Sequence, residues 1–189
     1  PSGSLVPIKT LTASSSATLS FVHGTDGVVL DSTYPIYKFE FINMHPATDN
    51  VQFLFNMSSD SGSNYNVTKT TTYFLAEHNA TGGSANLSYQ SQKDLAQSTD
   101  FQKLMTDLGN AADENLSGYL TIYNPSSTTF VKHFMSRTNA QAYFDTNVSF
   151  DNYVAGYGNT TSAVDAIQFK MSSGNIDAGK IKLYGIKDS

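Results

Sequence analysis

Ile167-Gln168-Phe169-Lys170-Met171-Ser172-Ser173-Gly174-Asn175-Ile176 decides the fold, because it reads as a strand followed by a turn. Ile167, Phe169 and Met171 alternate with Gln168, Lys170 and Ser172, the period of two that sends successive side chains to opposite faces of a strand. Ser173-Gly174-Asn175 then supplies residues that tolerate the positive φ of a reversal. Beyond a second turn-forming run, Asp177-Ala178-Gly179, Ile181 and Leu183 alternate with Lys180, Lys182 and Tyr184. The two segments together predict a terminal hairpin.

The same alternation recurs upstream. Tyr37, Phe39 and Phe41 share one face of residues 37–42, and Val51, Phe53, Phe55 and Met57 share one face of residues 51–57. Weaker strand patterns cover residues 8–11, 17–22, 70–76, 119–123, 130–136 and 153–157. About ten short strands, separated by turns rich in Gly, Asn and Ser, predict an all-β fold, a two-sheet β-sandwich of jelly-roll type. One segment departs from the pattern. Phe101, Leu104, Met105 and Leu108 follow helical spacing, with Ser98, Thr99 or Asp100 as a cap and Gly109 as a stop, which predicts a short helix near 99–108. Residues 77–97 read as a polar loop, an exposed insertion. Residues 1–16 are an N-terminal arm or an edge strand, and residues 17–189 a single sandwich domain.

Composition narrows the function classes. Only 14% of residues are charged, against roughly 25% in an average soluble protein, so the surface is neutral and polar. A net charge of −5 does not suit a nucleic-acid partner, which needs clustered Lys and Arg to neutralise phosphates. With no cysteine, neither a disulfide framework nor a thiolate metal site can form. Pro1-Ser2-Gly3-Ser4 lacks the basic and apolar regions of a secretion signal, and no run approaches the roughly 18 apolar residues of a membrane helix. A leading Pro before Ser suits a chain that has lost its initiator methionine, and equally a cleaved precursor.

Catalytic motifs are not found. His23, His45, His78 and His133 lie far apart, with no His-Glu-x-x-His spacing for zinc, and no Gly-x-Ser-x-Gly elbow appears. Glu40, Glu77, Asp113 and Glu114 are too scattered to define a glycosidase pair. Asp60-Ser61-Gly62-Ser63-Asn64-Tyr65-Asn66 places oxygen ligands at alternate positions, as calcium loops do, but lacks the terminal bidentate Glu; a plain hairpin loop explains it better. Expected cofactors are therefore none, with calcium near Asp60 and Asn66 as the alternative.

Larger blocks carry a resemblance. Asn124-Pro125-Ser126-Ser127-Thr128-Thr129-Phe130-Val131-Lys132-His133-Phe134, then Asn159-Thr160-Thr161-Ser162-Ala163, the 167–176 segment and Ile181-Lys182-Leu183-Tyr184-Gly185-Ile186 form the core of it. More loosely, it takes in residues 37–56 and Gly109-Asn110-Ala111-Ala112-Asp113-Glu114 before Ser117-Gly118. Together they resemble small virion structural proteins and fibre domains of tailed phages of marine bacteria, cyanophages especially. That family has no defined catalytic motif, so the resemblance implies a particle component and not an enzyme. It also implies a strand, leading into Gly118-Tyr119-Leu120-Thr121-Ile122, where the spacing predicts a helix; that segment stands open between the two.

Two function classes follow. The first is a capsid decoration or accessory appendage protein, made in the host cytoplasm and located in the virion. Its partners would be capsid or tail subunits and further copies of itself, with no nucleic acid and no membrane insertion. The second is a receptor- or carbohydrate-binding domain of a tail or head fibre, which stacks aromatic rings on sugars of a host surface glycan. Candidate glycan-contacting residues are Tyr65, Tyr89, Tyr143, Tyr157, Asn64 and Asn159, with Tyr73, Tyr123, Tyr153, Asn66 and Asn152 as further surface candidates.

Overall fold

The computed structural model of the chain describes residues 5–83, 85–142 and 148–188. They contain twelve strands and no helix. In chain order these are β1 (Leu5–Thr12), β2 (Leu19–Val22), β3 (Ile36–Pro46), β4 (Val51–Ser58), β5 (Lys69–Asn79), β6 (Ala85–Tyr89), β7 (Gln102–Leu108), β8 (Leu116–Tyr123), β9 (Lys132–Gln141), β10 (Val148–Gly158), β11 (Ala166–Met171) and β12 (Ile176–Ile186).

All pairings are antiparallel, in an eight-stranded sheet ordered β1-β12-β3-β8-β9-β10-β5-β6 and a four-stranded sheet ordered β2-β11-β4-β7. The two sheets form the β-sandwich that the alternation predicts. Only β5–β6, β8–β9 and β9–β10 are neighbours in both sequence and space; every other connection between these strands carries the chain from one sheet to the other.

The terminal hairpin is one casualty of that switching. β11 pairs with β2 and β4 in the small sheet, whereas β12 pairs with β1 and β3 in the large one. Phe169 and Leu183 both point into the core, but from opposite layers, so residues 172–175 form an inter-sheet crossover instead of a hairpin turn. Within β12, Gly179 lies at φ +117, and a Cβ there would come 2.6 Å from the Asn43 carbonyl oxygen. Glycine lets β12 bulge against β3 at this crossing, where the register shifts on either side of Ala178.

The segment near 99–108, open between the helix that its spacing predicts and the strand that the resemblance implies, contains a strand, β7. Its ladder with β4 shifts register on both sides of Phe53, and Asp107 adopts a φ of +58. This irregularity breaks strict alternation, so that Leu104 and Met105 are both fully buried; irregular spacing in a strand imitates the helical period. The polar loop at 77–97 is also more ordered than its composition suggests. β6 extends the large sheet, and residues 90–98 return along β5, where Thr71 and Ser98 make backbone hydrogen bonds with Leu95 and Lys69.

The core is aromatic at one end and polar at the other. Phe169 contacts the rings of Phe21, Phe39, Phe41, Phe53 and Phe55 at centroid distances of 5.2–6.4 Å. At the other end, Tyr73 donates to Asn152 Oδ1 at 2.6 Å, Thr71 to Gln102 Oε1 at 2.6 Å and Lys69 to Asn56 Oδ1 at 2.6 Å. Among the described residues, no buried side-chain nitrogen or oxygen lacks a partner. These hydrogen bonds let polar groups lie between the sheets without the penalty of stranded donors or acceptors.

Candidate functional site

The small sheet covers one face of the large sheet and leaves the other open. On β9 the consequence is a strict alternation: Phe134, Ser136, Thr138 and Ala140 are buried, while His133, Met135, Arg137 and Asn139 are exposed. Register then lines up outward residues from strands remote in sequence. Tyr119, Arg137, Tyr153, Phe74 and Tyr89 form one row across β8, β9, β10, β5 and β6.

The centre of the row is a stack of upright planes. Phe74 and Tyr153 lie 4.8 Å apart at 5°. The Arg137 guanidinium carbon lies 4.9 Å from the Tyr153 ring centre, so the guanidinium adds a cation–π contact. Asp151 holds that guanidinium in a two-pronged grip, Nε to Oδ1 at 3.1 Å and Nη2 to Oδ2 at 2.7 Å. The hydrogen bonds and charge of Asp151 raise the Arg137 pKa, so the guanidinium stays charged with a carboxylate set against it. At the sheet edge, Tyr89 donates to Asp94, which raises the phenol's pKa.

A second row joins His133, Tyr157 and Thr70. The His133 and Tyr157 rings lie 6.1 Å apart, and Tyr123 closes the same side. Between the rows run Met135, Ala155 and Thr72, whose small members let the surface sink. The result is an apolar trough with a hollow of about 540 Å³ over Ala155 and Gly156. It continues into a hollow of about 260 Å³ beside Phe74, Tyr119 and Arg137. Met135 is 54% exposed there.

The expected glycan residues fall into separate places. Tyr157 and Asn159 come together through Gln97, whose side chain donates to Thr70 Oγ1 at 2.6 Å and to the Tyr157 hydroxyl at 3.4 Å, and accepts from Asn159 Nδ2 at 2.8 Å. Tyr89 sits at the far end of the first row. Asn64 and Tyr65 belong instead to the loop after β4, and Tyr143 lies outside the described residues. Tyr73 and Asn152, expected at the surface, are fully buried partners in the polar core. Composition could not reveal the first row, yet a signal was present: Phe74, Tyr119, Met135 and Tyr153 occupy outward positions that a solvated sheet normally gives to polar residues.

The Asp60 loop is closed by its own hydrogen bonds. Asp60 accepts from Ser58 Oγ at 2.6 Å, Asn64 Nδ2 at 2.7 Å and Asn64 N at 2.9 Å, and these bonds lower its pKa to about 2. Across the loop, Asp165 accepts from the Ser61 backbone. Among the described residues, no group of three or more His, Cys, Asp or Glu side chains is placed to hold a metal ion.

Fold and surface define a twelve-stranded β-sandwich with one open, aromatic-lined sheet face. Neither known protein-family models nor curated proteins match the sequence.

Proposed function

We propose that the chain is a non-enzymatic structural component of a tailed-phage virion, a capsid decoration or accessory appendage protein that works by presenting the open face of its large sheet. The observation that carries this reading is the uncovered aromatic face across β8, β9, β10, β5 and β6, set in a surface of low charge. Monomeric proteins rarely leave large contiguous apolar surface to water unless it meets a partner. The block-by-block resemblance to small phage virion proteins supplies the setting.

Support for a non-enzymatic role comes from how several reactive groups are engaged. The Glu114 carboxylate accepts from the Ala111 backbone, Lys69 is enclosed between the sheets, and Asp60 and Asp151 are bound by neighbouring side chains. The test is co-sedimentation of the purified chain with capsids and tails of the phage that encodes it. Saturable binding to one of these assemblies is expected; no binding to either overturns the reading.

One observation favours a second reading, a host-glycan-binding domain of a fibre. Tyr157 and Asn159 meet at Gln97 on the rim of the trough, joining an aromatic ring to two amides. Binding of labelled protein to host cells, lost after their surface polysaccharide is stripped, tests it.

A further inference from the structure

We infer that the trough between the Tyr153 row and the Tyr157 row holds a neutral polysaccharide chain lying across β9, β10 and β5. The inference rests on the glycan-binding reading and specifies where the sugar lies and what class it belongs to.

Shape comes first. Tyr153 and Tyr157 are four residues apart on β10, which separates the two rows by about 13 Å along the strand. The floor between them is built of Ala155 and Gly156 with Thr72 and Met135 beside it, so it is low, apolar and continuous. That is room for one chain running perpendicular to the strands. Concave, largely apolar sites with a few convergent polar groups are where small ligands bind.

Chemistry then selects the occupant. β9, β10 and β5 are bonded on both sides by neighbouring backbone, leaving no strand position for an added peptide. A peptide laid over the floor would hold its own amides against apolar surface without partners, a costly arrangement. A sugar ring suits this surface better, because its C–H faces can rest on Ala155, Thr72 and Met135 while its hydroxyls turn to the rims. One rim offers the Tyr157 hydroxyl, Gln97 and Asn159; the other offers the Tyr153 hydroxyl and the Arg137–Asp151 pair.

Charge sets the class. None of the residues lining the larger hollow is an Asp, Glu, Lys or Arg, and Arg137, which lines the adjoining hollow, is matched by Asp151. A uronic acid or sulfated sugar would enter without a counter-charge. Ring faces are available from Tyr123, His133 and Tyr157, which line the hollow, whereas Tyr153 has Phe74 and Arg137 as neighbours in its own stack.

The test is affinity electrophoresis of the full chain in native gels containing dextran, β-1,3-glucan, β-1,4-xylan or agarose, with alginate as the anionic comparator. Retardation in at least one neutral gel is expected. Tyr157→Ala removes a wall and Thr72→Trp fills the trough, and each is expected to weaken retardation at least tenfold. Tyr65→Ala, on the remote loop, is expected to leave it unchanged. Melting curves confirm that each variant folds. Retardation that survives both trough variants overturns the location while glycan binding stands, and retardation by alginate alone overturns the neutral class. No retardation in any gel overturns this inference, whereas the glycan-binding reading falls only if binding to host cells also fails.

Discussion

Lys69 and Asn56 face one another inside the sandwich, with the Lys69 ammonium donating to Asn56 Oδ1 at 2.6 Å and to the Val67 carbonyl at 2.7 Å. Asn56 in turn donates to the Tyr65 and Thr99 carbonyls, so one buried pair ties β4 and β5 to the loops at the polar end. Burial disfavours the charged amine and lowers its pKa from 10.5 to about 7, against a smaller opposing pull from Asp100. Between those two values the unfolded chain holds a proton that the folded chain has released. Stability therefore rises with pH from about 7 towards 10, by at most about 1.4 kcal/mol per pH unit. Urea unfolding across this range should show the rise, and Lys69→Met should flatten it.

Above pH 10 the sign reverses. Burial raises the Tyr37 hydroxyl to about 12, and burial raises Tyr73 as well. Here the unfolded chain ionises first, so stability falls as pH climbs past the ordinary tyrosine value. Ultraviolet titration should show these phenols ionising only near or after unfolding, late relative to exposed tyrosines.

Phe169 is the ring on which both sheets converge, lying edge-on to Phe21 and Phe41 and within 10° of parallel to Phe53. Phe169→Ala should cost about 3–5 kcal/mol in urea unfolding, the range for a buried ring whose cavity cannot collapse. An exposed aromatic such as Phe130, 68% exposed, should tolerate Ala with a change within about 0.5 kcal/mol.

Gly185 sits opposite Tyr37 in the β12–β3 ladder, and a Cβ there would come 2.3 Å from the Tyr34 ring. Tyr34 packs edge-on against Tyr37 at 5.7 Å and cannot retreat without disturbing it. Gly185→Ala should destabilise by about 1–3 kcal/mol, measurable as a lowered Tm.

Asp60 is occupied by donors from its own loop. In an NMR titration its carboxylate should ionise near pH 2, with the Asn64 amide shifting in step. Millimolar calcium should leave the Asn64 amide in place; a saturable shift would mean that the loop reorganises around a cation.

Legibility in the sequence followed local periodicity. β3, β4, β11 and β12 each carry an unbroken stripe in part of their length, and the stripes of Tyr37, Phe55 and Ile181 all reach the core. Periodicity does not say which sheet a stripe belongs to. That is why Phe169 and Leu183, close in sequence and both inward, look like hairpin partners while lying in opposite layers. It also fails where strands are irregular, as at Leu104 and Met105. The open face was hidden for a different reason: Phe74, Tyr119, Arg137 and Tyr153 become neighbours only through the register of β5, β8, β9 and β10, a long-range property that no local pattern encodes.

The most direct test of the proposed virion role is quantitative mass spectrometry of virions purified from cultures that produce the chain, fractionated into heads and tails. A particle component should appear at a fixed ratio to the major capsid protein: hundreds of copies in heads for a decoration protein, or a few to a few tens in tails for a fibre element. Absence from both fractions would contradict the account.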